Sequence, residues 1–272
     1  MPKPTIELNE VFQQAWQGQD PFRAVQALQG KIFRAVKARR TLRFELNGRF
    51  YFAKIHWGVG WWEILKNWLH GKVPVLGAAN EYRAIRHLEK HGVDTMTCAA
   101  FGLRGTNPAQ RESFIVTEAL TDTECLGDIC ATWATSPPPP RLRHALIERV
   151  ATLCRVMHSS GMNHRDCYLC HFLLATDTVD EPTPRIHVID LHRAQIRSRI
   201  PARWREKDLA GLAFSALDFD LTRTDFLRFV RTYEDKPLPA VFNDHATRWK
   251  RVRRKALRLY RKEFGRPAPI DL

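Results

Sequence analysis

Apolar and polar residues alternate at Leu42, Phe44 and Leu46, stop at Asn47-Gly48, and resume through Arg49-Phe50-Tyr51-Phe52-Ala53-Lys54-Ile55. A period of two on both sides of an Asn-Gly pair predicts a β-hairpin with a tight turn. On its second strand Phe50, Phe52 and Lys54 share one face, so a lysine projects among aromatic neighbours. Further strands are expected over residues 96–103 and 113–117. Between the hairpin and those strands the pattern becomes helical over residues 81–90, closed by Gly92. Ile85 and Leu88 follow Glu81 by four and seven residues, which places Glu81 on the inward stripe. A carboxylate facing inward needs a cationic partner, and Lys54 is the best candidate. The competing reading is an exposed Glu81 in the first helical turn, favoured only by the helix dipole.

Beyond Glu118 the pattern is mostly helical. Residues 137–140 are four consecutive prolines, a stiff connector. Leu142, Leu146, Val150, Leu153 and Met157 then trace a helix that ends near Gly161. Directly after it stands Asn163-His164-Arg165-Asp166, followed by the short run Cys170-His171-Phe172-Leu173-Leu174. A strand through Ile186-His187-Val188-Ile189 ends in Asp190, and the rest is helical. The expected layout is a strand-rich N-terminal lobe over residues 1–119 and a helical C-terminal lobe over 120–272, with the hinge near 118–121.

Composition narrows the partners. Of 272 residues 44% are hydrophobic and 26% charged, ordinary for a globular chain. Lys+Arg 43 against Asp+Glu 29 leaves +14, which suits an anionic partner: nucleotide, nucleic acid, phospholipid or acidic protein. A merely basic surface is the plain alternative. The first residues lack the apolar core of a signal peptide, and no uninterrupted apolar run reaches the roughly 18 residues that span a bilayer. The chain is therefore expected to stay in the compartment where it is made. Six cysteines over this length are expected to be reduced thiols.

Four groups stand in the order that phosphoryl transfer requires. Lys54 on a strand and Glu81 on the next helix can clamp the phosphates that stay on the nucleotide. Asp166 after a long helix can orient an acceptor hydroxyl and take its proton, with His164 and Arg165 beside it. Asp190 at a strand end offers the hard oxygen that Mg²⁺ prefers. This order matches the protein-kinase signature set and implies an α+β, two-lobed protein-kinase-like fold using ATP and Mg²⁺. The chain departs from that set in three places. No Gly-x-Gly-x-x-Gly loop is present, and Gln29-Gly30-Lys31 is the nearest candidate for the first-strand turn over the phosphates. The metal motif reads Asp190-Leu191-His192. Five residues after Asp166 stands His171, a poor Mg²⁺ ligand, which leaves contact with phosphate, contact with acceptor, or structural packing. Cys167 and Cys170, flanked by His164 and His171, admit a zinc reading on the weak evidence of one Cys-x-x-Cys pair. Asp208 is expected either to support the catalytic loop from a later helix or to sit as an ordinary helix N-terminal aspartate.

The run Asn163-His164-Arg165-Asp166-Cys167-Tyr168-Leu169-Cys170-His171-Phe172-Leu173-Leu174, with Val188-Ile189-Asp190-Leu191-His192-Arg193-Ala194-Gln195, resembles the lipopolysaccharide core heptose(I) kinases of Gram-negative bacteria. Asp20-Pro21-Phe22, Arg39-Arg40-Thr41-Leu42, Lys54-Ile55-His56, Pro74-Val75-Leu76-Gly77-Ala78 and Asn80-Glu81 extend the resemblance over nearly the whole chain. His171 and the missing glycine loop fit that family. The resemblance implies transfer of the γ-phosphoryl of ATP to the 4-hydroxyl of the first inner-core heptose, at the cytoplasmic face of the inner membrane. It also implies Asp166 as base, Asp190 as metal ligand and Lys54 with Glu81 as phosphate clamp. Acyl carrier protein, small and acidic, is a partner associated with the family; nucleic acid is not.

Arg193, Arg197 and Arg199, with Arg203 and Arg205 beyond them, follow the metal motif and are candidates for binding an acidic acceptor. Residues 248–262 hold nine Lys/Arg, with Trp249, Val252, Ala256 and Leu259 at helical spacing. Such a helix either lies on an anionic membrane or packs its apolar stripe on the domain and leaves only its basic faces free. Trp57, Trp61, Trp62 and Trp68 crowd a segment ending in Lys72-Val73-Pro74, suited to a membrane interface or to core packing. Two other functions compete with the heptose reading. One is a kinase of this fold acting on a tyrosine or another sugar; the other is a non-catalytic basic binding protein.

Overall fold

The computed structural model describes residues 4–36, 38–69 and 77–270. They fall into two compact units, Met1–Arg86 with Met96–Thr121, and His87–Thr95 with Asp122–Leu272. The break after residue 121 lies close to the expected hinge. Residues 87–95, expected in the N-terminal lobe, pack instead with the second unit. There Thr95 Oγ1 donates to the Val188 carbonyl at 2.6 Å, the Val188 amide donates to the Asp94 carbonyl, and Arg149 reaches the Asp94 carboxylate.

The first unit is built on an antiparallel sheet. In chain order it holds β1 (Thr5–Leu8), α1 (Glu10–Ala15), α2 (Pro21–Ala27), β2 (Lys31–Val36), β3 (Arg39–Leu46) and β4 (Arg49–His56). After these come α3 (Gly60–Leu69), α4 (Ala79–Lys90, continuing into the second unit), β5 (Cys98–Arg104) and β6 (Glu112–Glu118). The strand order is β1-β5-β6-β4-β3-β2. Asn47 and Gly48 both have positive φ, the turn geometry that matches the twist of a two-residue hairpin. The alternation in β3 and β4 sends Leu42, Phe44, Tyr51, Ala53 and Ile55 to one face. There they bury with Phe12, Trp16, Phe22 and Val25 of the α1–α2 region. Asn9 and Asp20 start those two helices by accepting the amides of Phe12 and Phe22.

The opposite face carries one cross-strand row, Thr41–Lys54–Ile115–Phe101, fixed by the ladder registers. Helix α4 covers this row, stacking Tyr82 on Phe101 with centroids 4.0 Å apart. Gly30, the candidate for the first-strand turn, lies between α2 and β2. It is a glycine because a Cβ there would come within 2.1 Å of the Arg43 carbonyl. Lys31 is the first residue of β2 and exposed. Lys37 itself, Lys72-Val73-Pro74 and the Trp68 side chain lie outside the described residues, as does the Pro74–Leu76 part of the resemblance.

The second unit is mostly helical. Its elements are β7 (Thr123–Cys125), α5 (Leu126–Ala131), α6 (Pro140–Ser159), β8 (Met162–Asn163), β9 (Phe172–Ala175) and β10 (Ile186–Val188). They are followed by β11 (Gln195–Ile196), α7 (Ala202–Ala216), α8 (Arg223–Glu234) and α9 (Leu238–Phe264). Pro140 takes the first position of α6, where its missing N–H costs nothing. The apolar stripe of α9 is buried through Val241, Trp249, Val252, Ala256 and Tyr260, so it packs on the domain. Leu259, expected in the stripe, is 39% exposed; Tyr260 continues it and donates to Asp218.

Candidate active site

In the first unit the β4 register places Lys54 under α4, and Lys54 Nζ donates to Glu81 Oε1 at 2.6 Å. Glu81 is only 2% exposed, so its charge is stable there because the lysine is adjacent. The inward reading of Glu81 holds, and the exposed one does not.

In the second unit the loop after β8 carries Asp166. Arg165 has a φ of 74°, a conformation that needs outside support in a non-glycine residue. Asp208 supplies it. Its carboxylate accepts the His164 amide at 2.6 Å and the Arg165 amide at 2.9 Å. Asp208 lies in the middle of α7, 1% exposed, which rules out the helix N-terminal alternative. His158 closes the base of this network, bonded to the Tyr233 hydroxyl at 2.8 Å and 3.4 Å from Asp208.

His164, grouped with the catalytic residues on sequence, is fully buried. Its Nε2 donates to the Ile189 carbonyl at 2.9 Å, and burial lowers the imidazole pKa below its ordinary value. It ties the catalytic loop to the residue before Asp190. The Arg165 guanidinium does not reach Asp166; it lies over the Trp204 ring, 5.4 Å from the centroid.

Asp190 takes the left-handed conformation at the end of β10 and hydrogen-bonds His192 Nδ1 at 2.5 Å. His171 bridges the two aspartates. Its Nδ1 bonds the Asp166 carbonyl at 2.7 Å, its Nε2 lies 3.6 Å from Asp190 Oδ2, and its ring stacks parallel to His164. Burial disfavours its charged form, but Cys170, the Asp166 carbonyl and the Asp190 charge outweigh that and push it to about 9. Of the three roles open to His171, structural bridging is the one these contacts provide. Cys167 is buried against Cys154 while Cys170 is exposed, so the pair does not converge. Among the described residues no group of three His, Cys, Asp or Glu side chains has the arrangement of a metal site, which removes the zinc reading.

The arginines after the metal motif part ways. Arg193 Nη1 donates to Asp166 Oδ1 at 2.7 Å and leaves Oδ2 without a partner among the described residues. Arg197 donates to Asn163 Oδ1 and Gln195 Oε1. Both, expected to meet the acceptor, have a partner on the loop after β8 or on β8 itself, which pairs antiparallel with β11 next to Arg197. That pairing also explains Gly161: a Cβ there would lie 2.0 Å from the Arg197 carbonyl. Arg199 remains exposed. Sequence reasoning missed His158, Tyr233 and the Arg193–Asp166 pair, since none carries a local signal.

A model of the lipopolysaccharide kinase (Kdo/WaaP) family matches residues 23–233. A Pseudomonas aeruginosa protein described as lipopolysaccharide core heptose(I) kinase WaaP is 54% identical over 259 residues, covering 95% of this chain and 97% of that protein. An Escherichia coli K12 protein of the same description is 51% identical over 239 residues, covering 88% of this chain and 90% of the relative. A solved structure described as WaaP in complex with acyl carrier protein is 50% identical, with a TM-score of 0.82 over 94% of this chain and 99% of that one.

Proposed function

Because the chain belongs to the lipopolysaccharide kinase (Kdo/WaaP) family, we propose that it is a lipopolysaccharide core heptose(I) kinase. It moves the γ-phosphoryl group of ATP to the 4-hydroxyl of the first inner-core heptose. One observation carries the reading: the loop bearing Asp166 is pinned by Asp208 and bridged by His171 to Asp190, in a chain over half identical to heptose(I) kinases along most of its length.

Asp166 acts as the base. Arg193 occupies Oδ1 and fixes the carboxylate, so Oδ2 is left to accept the proton of the attacking hydroxyl. Lys54, held by Glu81, serves the phosphates that remain on the nucleotide. The partly exposed Asp190 carboxylate, oriented by His192, is the donor type Mg²⁺ takes when nucleotide phosphates and waters complete its shell. Mg²⁺ bound there would neutralise charge developing on the transferred group. The +14 charge suits an anionic acceptor and an acidic carrier protein such as the one in the similar complex. Work at the cytoplasmic membrane surface is supported by α3, where Trp61, Trp62, Leu65 and Leu69 present an exposed apolar face. Among the described residues no helix is long and apolar enough to cross a membrane.

The test is a paired assay with ATP and Mg²⁺ on lipopolysaccharide containing or lacking an unphosphorylated inner-core heptose. Phosphate is expected only on the heptose-bearing material, and Asp166→Ala is expected to lower kcat by about 10²–10⁴. Equal labelling of both acceptors, or labelling of protein tyrosine alone, overturns the heptose assignment.

A further inference from the structure

Beside the catalytic loop, within the second unit, a cavity of about 190 Å³ is lined by Arg165, Tyr168, Lys207, Gly211, Lys255 and Arg258. One water needs only about 15 Å³ of such space, so the cavity holds a group far larger than one water. Four of these residues are cations and none is a carboxylate. Lys255 is neutralised by Glu206 at 2.8 Å. Arg165, Lys207 and Arg258 make no ion pair with any described residue, and Arg165 Nε is buried without a hydrogen-bond partner.

Helical spacing assembles the cluster. Lys207 and Gly211 are four apart on α7, and Lys255 and Arg258 three apart on α9, so each pair shares a helix face. Gly211 lets α7 approach the catalytic loop, since a Cβ there would come within 2.9 Å of the Cys167 carbonyl. The Trp204 ring has Arg165, Arg203 and Lys207 around it at 5.4, 5.2 and 5.6 Å, so the cations rest on a π-face with no anion to pair them. Partial desolvation, then Arg165 and Arg193, lower the Lys207 pKa, and Asp166 and Asp208 offset this only in part. Asp166 and Asp208 act on Arg165 and Lys207 only at a distance, with no ion pair to either, so the excess of cations costs free energy that a bound anion returns. Two guanidinium forks and an ammonium offer more charge and more donors than one carboxylate takes up, and they match a phosphate dianion.

We propose that this cavity is a binding site for a phosphate group carried by the acceptor glycolipid. The source of the phosphate rests on the heptose-kinase reading; the site itself does not. The first arm titrates the full chain with inorganic phosphate by calorimetry, against sodium chloride at matched ionic strength. Saturable binding is expected, weakened about tenfold or more in Lys207→Gln and in Arg258→Gln. Both residues are exposed, and unchanged circular dichroism and melting temperature would establish that the variants fold. Equal phosphate binding by wild type and both variants, or chloride acting as well as phosphate, overturns the site. The second arm compares KM for lipopolysaccharide before and after its lipid phosphates are removed. The wild type is expected to prefer the phosphorylated acceptor, and Arg258→Gln to bring that KM ratio toward unity. Phosphate binding lost with the ratio unmoved overturns the acceptor as source. Failure to phosphorylate heptose at all removes the proposed activity, while the titration still decides the site.

Discussion

Asp208→Asn isolates the support of the catalytic loop. The substitution keeps the side chain's size and one acceptor oxygen, but it turns an NH₂ toward one of two amides now accepted at 2.6 and 2.9 Å. A hydrogen bond to a charged group contributes about 1.5–3 kcal/mol, and a buried donor left unmade costs about 1–3. Loss of one such bond at a 1% exposed site should therefore lower stability by about 2–3 kcal/mol. The second effect distinguishes this site from ordinary core damage. With one amide released, the positive φ of Arg165, a conformation that costs about 1–3 kcal/mol, is no longer over-determined. A shift of about 1 Å in a reacting group costs about 10²-fold in rate. Urea unfolding supplies the first quantity, and steady-state phosphorylation of heptose-bearing lipopolysaccharide the second. KM for ATP should move little, because the Lys54–Glu81 pair belongs to the other unit. A variant that loses the expected stability yet keeps wild-type kcat would refute the claim that Asp208 positions Asp166.

Glu81→Gln strands the Lys54 ammonium; kcat/KM for ATP should fall at least about tenfold, with stability lower by about 1–3 kcal/mol because Lys54 is partly exposed. Asp225 caps α8 through Thr222 and accepts a fork from Arg143; burial raises its pKa, but these partners bring it below the ordinary carboxylate value. A depressed folded pKa means its stabilisation is present above the unfolded value near 3.8 and fades as pH falls through the folded one. The melting-temperature gap between wild type and Asp225→Asn should therefore be widest well above 3.8 and narrow steadily as pH falls below it. Trp61→Ser with Trp62→Ser removes two rings from the exposed face of α3, where Trp62 is 78% exposed. Binding to anionic lipid vesicles should weaken more than about tenfold, since a large apolar side chain contributes about 1.5–3 kcal/mol on burial.

What the sequence determined by itself is what neighbouring residues decide together. The period-two runs about Asn47-Gly48, the inward stripe of Glu81 with Ile85 and Leu88, and the loop residue Asp166 preceding strand-end Asp190 all depend on local backbone geometry. Each was legible without a fold. The resemblance of the 163–174 and 188–195 runs identified the family on the same local terms. Tertiary structure decided which of several equivalent groups meet. Five arginines after Asp190 look alike in sequence, yet Arg197, next to the strand β11 that pairs with β8, donates to Asn163 of β8, and Arg193 meets Asp166 across 27 residues of chain. His158 on α6 links Tyr233 on α8 to Asp208 on α7, three separate helices. Leu259 and Tyr260 fit the α9 stripe equally well until packing buries the second. Residues 87–95 carry no mark of the unit they join. Local periodicity reports which face a side chain takes, because the backbone sets it within a few residues. A charge or a buried amide finds its partner only when chain closure brings distant segments together, and the free energy that selects the partner exists only in that folded arrangement.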